Sequence, residues 1–217
     1  MYVLAFDTSA DIAAIILQED SGRVDERIVT TQRDQAKILA PLTQEFLQAH
    51  KLTAKDIDRF AVGTGPGSFT GLRVGLAFVR GLALATGKPA YGIDHFVLTQ
   101  KAAGPQSGPL LIVRESKRAE FFYCETGKNG KLGPYQIERA EKLAAHAQKN
   151  PLLKIAGNGA AALLALAPQL AAQIIALEPG ACCRALAALV AMDKDMPVSK
   201  PQPLYLREAD VTFPHAS

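Results

Sequence analysis

The stretch that most constrains this chain is 60–87, FAVGTGPGSFTGLRVGLAFVRGLALATG. It opens on a short apolar run, Phe60, Ala61 and Val62, and passes into Gly63-Thr64-Gly65-Pro66-Gly67-Ser68. A turn so rich in glycine, with a proline inside it, cannot continue a helix or a strand. The remainder, 70–86, has helical composition and is closed by Gly87, where a C-cap glycine belongs. Strand, glycine turn and helix are therefore expected in that order.

Within the helix the only charges are Arg73 and Arg80, which share one stripe; every other face is apolar or glycine. A helix apolar nearly all round is buried on more than one side. Gly71 and Gly75 lie on one face, with Leu72, Leu76 and Val79 beside them. Glycine inside a helix costs roughly 1 kcal/mol relative to alanine, so the close approach of another backbone is expected to repay it. That backbone can belong to the chain's own sheet, or to a second protein meeting the other face; the residues leave both open.

A glycine-rich loop entering a helix N-terminus can also hold a phosphate. Here the signal is weak. GTGPGSFTG has no lysine after its glycines, its spacing does not match a dinucleotide fingerprint, and Pro66 removes one N–H.

A chain of 217 residues can bury a real core as one large domain or two small ones. A net charge of +3 is too small to argue for a nucleic-acid surface, and Arg114 beside Lys117-Arg118 reads equally as a solvated hairpin tip. Cys124, Cys182 and Cys183 do not suggest a disulfide framework, and none looks like a nucleophile paired with histidine, so a reduced, cytoplasmic setting is expected. The N-terminus lacks the pattern of a signal peptide. No apolar run is read as long enough to span a bilayer, 159–177 coming nearest but interrupted by Pro168, Gln169 and Gln173.

In chain order, Val3 to Phe6 reads as a strand followed by Asp7-Thr8-Ser9, and 12–17 and 24–30 as two further strands. An acidic residue with hydroxyl neighbours at such a first turn faces nucleotide phosphates in sugar kinases, actins and Hsp70 proteins, although DTS is also ordinary turn chemistry. An amphipathic helix follows over 33–50, carrying Leu39, Leu42, Phe46 and Leu47, with Pro41 expected to kink it. A short strand at 89–93 and a helix at 95–103 complete the order β-β-β-α-β-α-β-α, one ribonuclease-H-like lobe. The linker Gly104-Pro105-Gln106-Ser107-Gly108-Pro109 divides 1–103 from 104–217. The second half repeats the hairpin opening at 110–113 and 119–126. It continues with strands at 134–138, 152–156 and 174–177, helices at 141–148 and 181–192, and Gly157-Asn158-Gly159-Ala160 as a glycine turn into an alanine-rich helix.

Taken together, GTGPGSFTGLRVGLAFVRGLA at 63–83, LAFDTS at 4–9, ESKRAEFFY at 115–123, GNGA at 157–160 and PLYLREADV at 203–211 resemble the bacterial TsaB (YeaZ) family. The resemblance implies an α/β fold of the ASKHA (actin, sugar kinase, Hsp70) type, with two ribonuclease-H-like lobes, the second smaller and degenerate. It implies a non-catalytic partner of the TsaD catalytic subunit, acting with the TsaE ATPase in installing N6-threonylcarbamoyladenosine beside the tRNA anticodon. The two N-terminal helices would then form the contact with TsaD or with a second copy of the chain. On that basis the interface residues are Leu39, Leu42, Phe46, Gly71, Leu72, Gly75, Leu76 and Val79. A vestigial nucleotide site would involve Asp7, Thr8, Ser9, Gly157, Asn158 and Gly159. No catalytic residue, metal or resident cofactor is expected, with room for ATP or ADP only at the joint with TsaD; tRNA would be touched indirectly, and no membrane is involved.

Catalytic relatives hold a metal through two histidines four apart on a helix. Here His50, His95, His146 and His215 stand alone, and each is expected at the surface or capping a helix. Glu115 and Asn158 stand where the family pattern favours aspartate, which weakens phosphate or metal chemistry in the second lobe. The rival readings are an active nucleotide-dependent enzyme of the same fold, such as a small-molecule kinase, and a peptidase. Against both, no base beside a nucleophile is evident.

Overall fold

The computed structural model describes residues 1–31, 34–116, 118–127, 129–193 and 201–207. Its first sheet is opened by β1 (Tyr2–Asp7), β2 (Ile12–Glu19) and β3 (Val24–Thr30), an antiparallel meander. After α1 (Gln35–Ala49), β4 (Arg59–Gly63) joins parallel to β1, and after α2 (Phe69–Thr86), β5 (Ala90–Ile93) joins parallel to β4. The strand order is β3-β2-β1-β4-β5. Because β1 is central and covered on both faces, it reads as continuous apolar sequence rather than an alternation. Leu4 and Phe6 turn to α1 and α2, while Val3 and Ala5 turn to the opposite face.

The second sheet repeats this plan in shorter form. It is built from β6 (Leu110–Glu115), β7 (Glu120–Glu125), β8 (Gln136–Arg139) and β9 (Lys154–Ala156), in the order β8-β7-β6-β9, with α4 (Ala140–Gln148) and α5 (Ala160–Leu166) on one face. The strand expected at 174–177 is reduced to a parallel bridge between Ile155 and Ile174. The alanine-rich helix stops at Leu166, because Pro168 starts a separate 3-10 turn, Pro168–Gln173.

Between the sheets lies α3 (His95–Ala103). Its Phe96 packs on Leu110 and Ile112 of the second sheet, and its Leu98 packs on the first. The last helix among the described residues, α6 (Ala181–Met192), follows the linker in the chain yet packs on β1, β2, β4 and α3. Cys183, Leu186, Ala187 and Val190 supply its buried side. The Arg59 guanidinium ties it down by donating to the Val190 carbonyl at 2.8 Å.

The strand, turn and helix anticipated at 60–87 are present. Ser68 caps α2 by accepting the Gly71 N–H at 3.2 Å, and Gly87 ends it in the left-handed region at φ 69°. Pro41 lies inside α1 without ending it. One expectation needs correcting: α2 itself, with mean hydropathy 1.3 over 18 residues, is long and apolar enough to cross a membrane on those two measures. Its inner face, however, carries Leu76 and Val79 into the core of the first lobe.

Candidate functional site

Asp7, at the end of β1, is 4% exposed, and its carboxylate is the centre of a buried polar network. Three elements converge on it because α3 begins between the two sheets. His95, the first residue of α3, is fully buried and places Nε2 3.0 Å from Asp7 Oδ2 and 2.8 Å from Ser9 Oγ. On the other side of the ring, Nδ1 accepts the Gly65 N–H at 3.0 Å. That acceptance leaves the ring proton on Nε2, facing Asp7 and Ser9.

Arg114, near the end of β6, reaches across from the second sheet. Its Nη2 donates to Ser9 Oγ at 2.9 Å and its Nε to the Pro66 carbonyl at 3.3 Å. The Ser9 N–H donates to Asp7 Oδ1 at 2.9 Å. Burial alone would raise the Asp7 pKa; His95, Arg114 and the Ser9 N–H outweigh it and hold the carboxyl well below the ordinary carboxylate range. The cation and the carboxylate are both withdrawn from water, so each depends on the other.

The expectation of surface or capping histidines fails at His95, and Arg114 is no hairpin tip: it is 4% exposed. Period-two alternation could have found Arg114, which shares a strand face with Leu110 and Ile112. His95 shares a helix face with the buried Leu98 and Thr99, a weaker signal. Gly63 is the counterpart of His95, since a Cβ there would overlap the imidazole.

This is not a serine-nucleophile arrangement. A triad holds the acid and the serine on opposite ring nitrogens. Here Asp7 and Ser9 share Nε2, and Nδ1 is occupied by backbone. Ser9 is also 2% exposed.

The residues singled out as a vestigial nucleotide site are brought together in part. A cavity of about 430 Å³ has Asp7, Arg114, Gly157 and Asn158 in its wall, with Ile12, Leu164, Ile175 and Cys182 making it largely apolar. Thr8, Ser9 and Gly159 do not line it. Their polar groups serve the fold: Thr8 Oγ1 donates to the Gly71 carbonyl at 2.7 Å, and the Gly159 N–H donates to the Val113 carbonyl at 3.0 Å. Asn158 Oδ1 in turn accepts the Glu115 N–H at 3.2 Å. Among the described residues no group of three or more His, Cys, Asp or Glu side chains is placed to hold a metal.

The proposed contact face of the helices is turned inward. Leu39, Phe46, Gly71, Leu72, Gly75, Leu76 and Val79 are buried within the chain itself, and Leu42 is half-buried. The glycine face exists because α2 crosses the end of β1: a Cβ on Gly71 would run into the Thr8 carbonyl, and one on Gly75 would stand 2.5 Å from Thr8 Oγ1. What α2 leaves in solvent is a different stripe, Ala77, Gly81, Leu84 and Ala85, flanked by Arg73 and Arg80. Leu84 is 88% exposed.

The family model for TsaD, tRNA N6-adenosine threonylcarbamoyltransferase, matches residues 29–144. An uncharacterized protein of Mycobacterium tuberculosis is 34% identical over 216 residues, an alignment covering 96% of this chain and 92% of the relative. The tRNA threonylcarbamoyladenosine biosynthesis protein TsaB of Escherichia coli is 29% identical over 127 residues, 58% of this chain and 54% of that protein. In structure, YeaZ from Pseudomonas aeruginosa superposes with a TM-score of 0.72 at 24% identity, over 94% of this chain and 99% of that one.

Proposed function

The chain belongs to the TsaB (YeaZ) family of tRNA threonylcarbamoyladenosine biosynthesis, and from that premise we propose that it is the non-catalytic subunit of the threonylcarbamoyl-transferring assembly. It docks on a TsaD-type catalytic subunit and supports the transfer without performing it. The observation that carries this reading is the exposed apolar stripe of α2. A leucine 88% exposed at the end of a row of small residues is surface that a partner can cover. Ile38 and Leu42 of α1 are half-buried against the same core as Val74 and Phe78 of α2. A second copy of the chain covers the stripe when the catalytic subunit is absent. A TsaE-type ATPase completes the assembly, tRNA is reached through the catalytic subunit, and the setting is cytoplasmic.

The polar network supports the same reading. Asp7 is committed to His95 and the Ser9 N–H, Thr8 Oγ1 to the Gly71 carbonyl, and Ser9 Oγ to His95 and Arg114. Light scattering of the purified chain, alone and mixed with the TsaD-type subunit of its own organism, tests the proposal. A discrete heterodimer formed at the expense of the free species is expected, and a chain that ignores that subunit would overturn it.

The cavity favours one second reading, a nucleotide-dependent enzyme of the same fold, because it sets Asp7 and Arg114 facing the Gly157-Asn158 turn. Calorimetric titration of the isolated chain with ATP separates the two. Tight binding would revive the enzyme, whereas binding seen only with the catalytic subunit present would place ATP or ADP at the joint.

A further inference from the structure

The segment 201–207 lies far from the first hundred residues in sequence but is seated on them. Pro201 is buried against β5, where Gly92 makes room for it: a Cβ on Gly92 would stand 2.9 Å from Pro201 Cβ. The Leu204 N–H donates to the Thr64 carbonyl at 2.8 Å, in the turn between β4 and α2. Gly65, at φ 103°, makes the second clearance, since a Cβ there would lie 3.2 Å from the Leu204 carbonyl.

The segment then engages both arginines of α2. The Pro201 carbonyl accepts from Arg80 Nη2, and Tyr205 Oη accepts from Arg73 Nε at 3.1 Å. The Tyr205 ring packs 5.0 Å from that of Phe69, over which the Arg73 guanidinium stacks at 3.7 Å. Finally Arg207 pairs with Glu120 on β7, in the second sheet. One short run of chain thus touches β5, the β4–α2 turn, α2 and the opposite lobe.

We propose that 201–207 is a latch that fixes the second sheet to the head of α2 and holds Arg73 and Arg80 aside from the apolar stripe, so that α2 is ready for its partner only while the segment is seated. No single contact does this. An exposed ion pair such as Arg207 with Glu120 contributes little by itself, but backbone, ring and guanidinium contacts made together order the segment. With it displaced, two unpaired guanidinium groups would border Ala77, Gly81 and Leu84, and a partner would have to desolvate them. The docking half of this proposal rests on the reading under Proposed function; the latch half does not.

Two variants of the full chain test it, Tyr205→Ala and Arg207→Ala, both at partly exposed positions where the lobes should stay folded by circular dichroism. The Leu204 amide reports the seated state directly. Its hydrogen exchange is expected to quicken about tenfold in Tyr205→Ala, which removes ring and guanidinium contacts together, and by no more than about fivefold in Arg207→Ala, as local opening becomes cheaper. Affinity for the TsaD-type subunit, by calorimetry, is expected to fall in proportion to the seated fraction, reaching about tenfold where a Tyr205→Ala/Arg207→Ala double variant leaves roughly a tenth of the chains seated. Unchanged exchange at Leu204 in both variants would overturn the latch. A Leu204 amide that exchanges as an open one in most chains, with unchanged affinity, would overturn its link to docking. An unsubstituted chain that does not bind the subunit at all would overturn the docking reading, while the exchange data still decide the latch.

Discussion

Gly71 lies directly under the Thr8 carbonyl, and no side chain fits between them. Thr8 closes the same contact from its side chain by donating to the Gly71 carbonyl at 2.7 Å. The atom in the way is backbone at the end of a central strand, which cannot rotate aside. Gly71→Ala should therefore destabilise the chain by about 1–3 kcal/mol through overpacking, despite the roughly 1 kcal/mol that alanine gains in a helix. Gly81, on the same helix, is exposed, with open space where an added methyl would stand. Gly81→Ala should stabilise by about 0.5–1 kcal/mol. Urea unfolding of the two variants, with opposite signs expected, checks both.

Leu84→Arg is the complementary change. The side chain is already in water, so the unfolding free energy from urea titration should stay within about 0.5 kcal/mol of the parent, as for surface substitutions generally. Association with the catalytic subunit, measured by light scattering, should be lost. Gly75→Arg would not make this distinction, because an arginine there strikes Thr8 inside the fold.

Acid should weaken the fold through Asp7. Its pKa is lowered in the folded chain, so its contribution is fully present above the unfolded value of about 3.9 and is lost as pH falls below that, toward the folded value. Urea midpoints measured from pH 6 down to pH 2 should drop on this limb. Asp7→Asn should remove that part of the slope and cost about 3–5 kcal/mol at neutral pH, since Arg114 loses its counter-charge in a buried place.

The cysteines should be silent until the chain unfolds. Burial pushes the Cys124 thiol up to about 11, raises Cys183 well above its ordinary value and raises Cys182 as well. The thiolate is the reactive form. An aromatic disulfide reagent at neutral pH should titrate no thiol promptly in the native protein and all 3 in guanidinium. Prompt reaction of Cys182, which is the least enclosed, would mean that the cavity it lines opens.

How far the sequence carries depends on distance along the chain. The strand, turn and helix at 60–87 are legible because their signals are local: apolar run, glycine punctuation, serine cap and terminal Gly87. The hairpin openings of both lobes are legible for the same reason. The network around Asp7 is not, since His95 and Arg114 reach Asp7 and Ser9 across 88 and 105 positions, and a lone histidine carries no local mark of its partners. The glycine face of α2 is legible as a place of close approach. Which backbone approaches it depends on β1 ending beneath α2, and that is a fact of packing rather than of pattern.

The return of α6 to the first sheet bears on the chain during its synthesis. Val3, Ala5, Ala14 and Ile16 leave the ribosome well over a hundred residues ahead of the side chains that close over them, those of Cys183, Leu186, Ala187 and Val190. One face of the first sheet therefore stays open to chaperones or premature pairing until nearly the whole of the described chain has emerged. A nascent chain arrested before 181 should hold its α1 and α2 side and leave the other face bare.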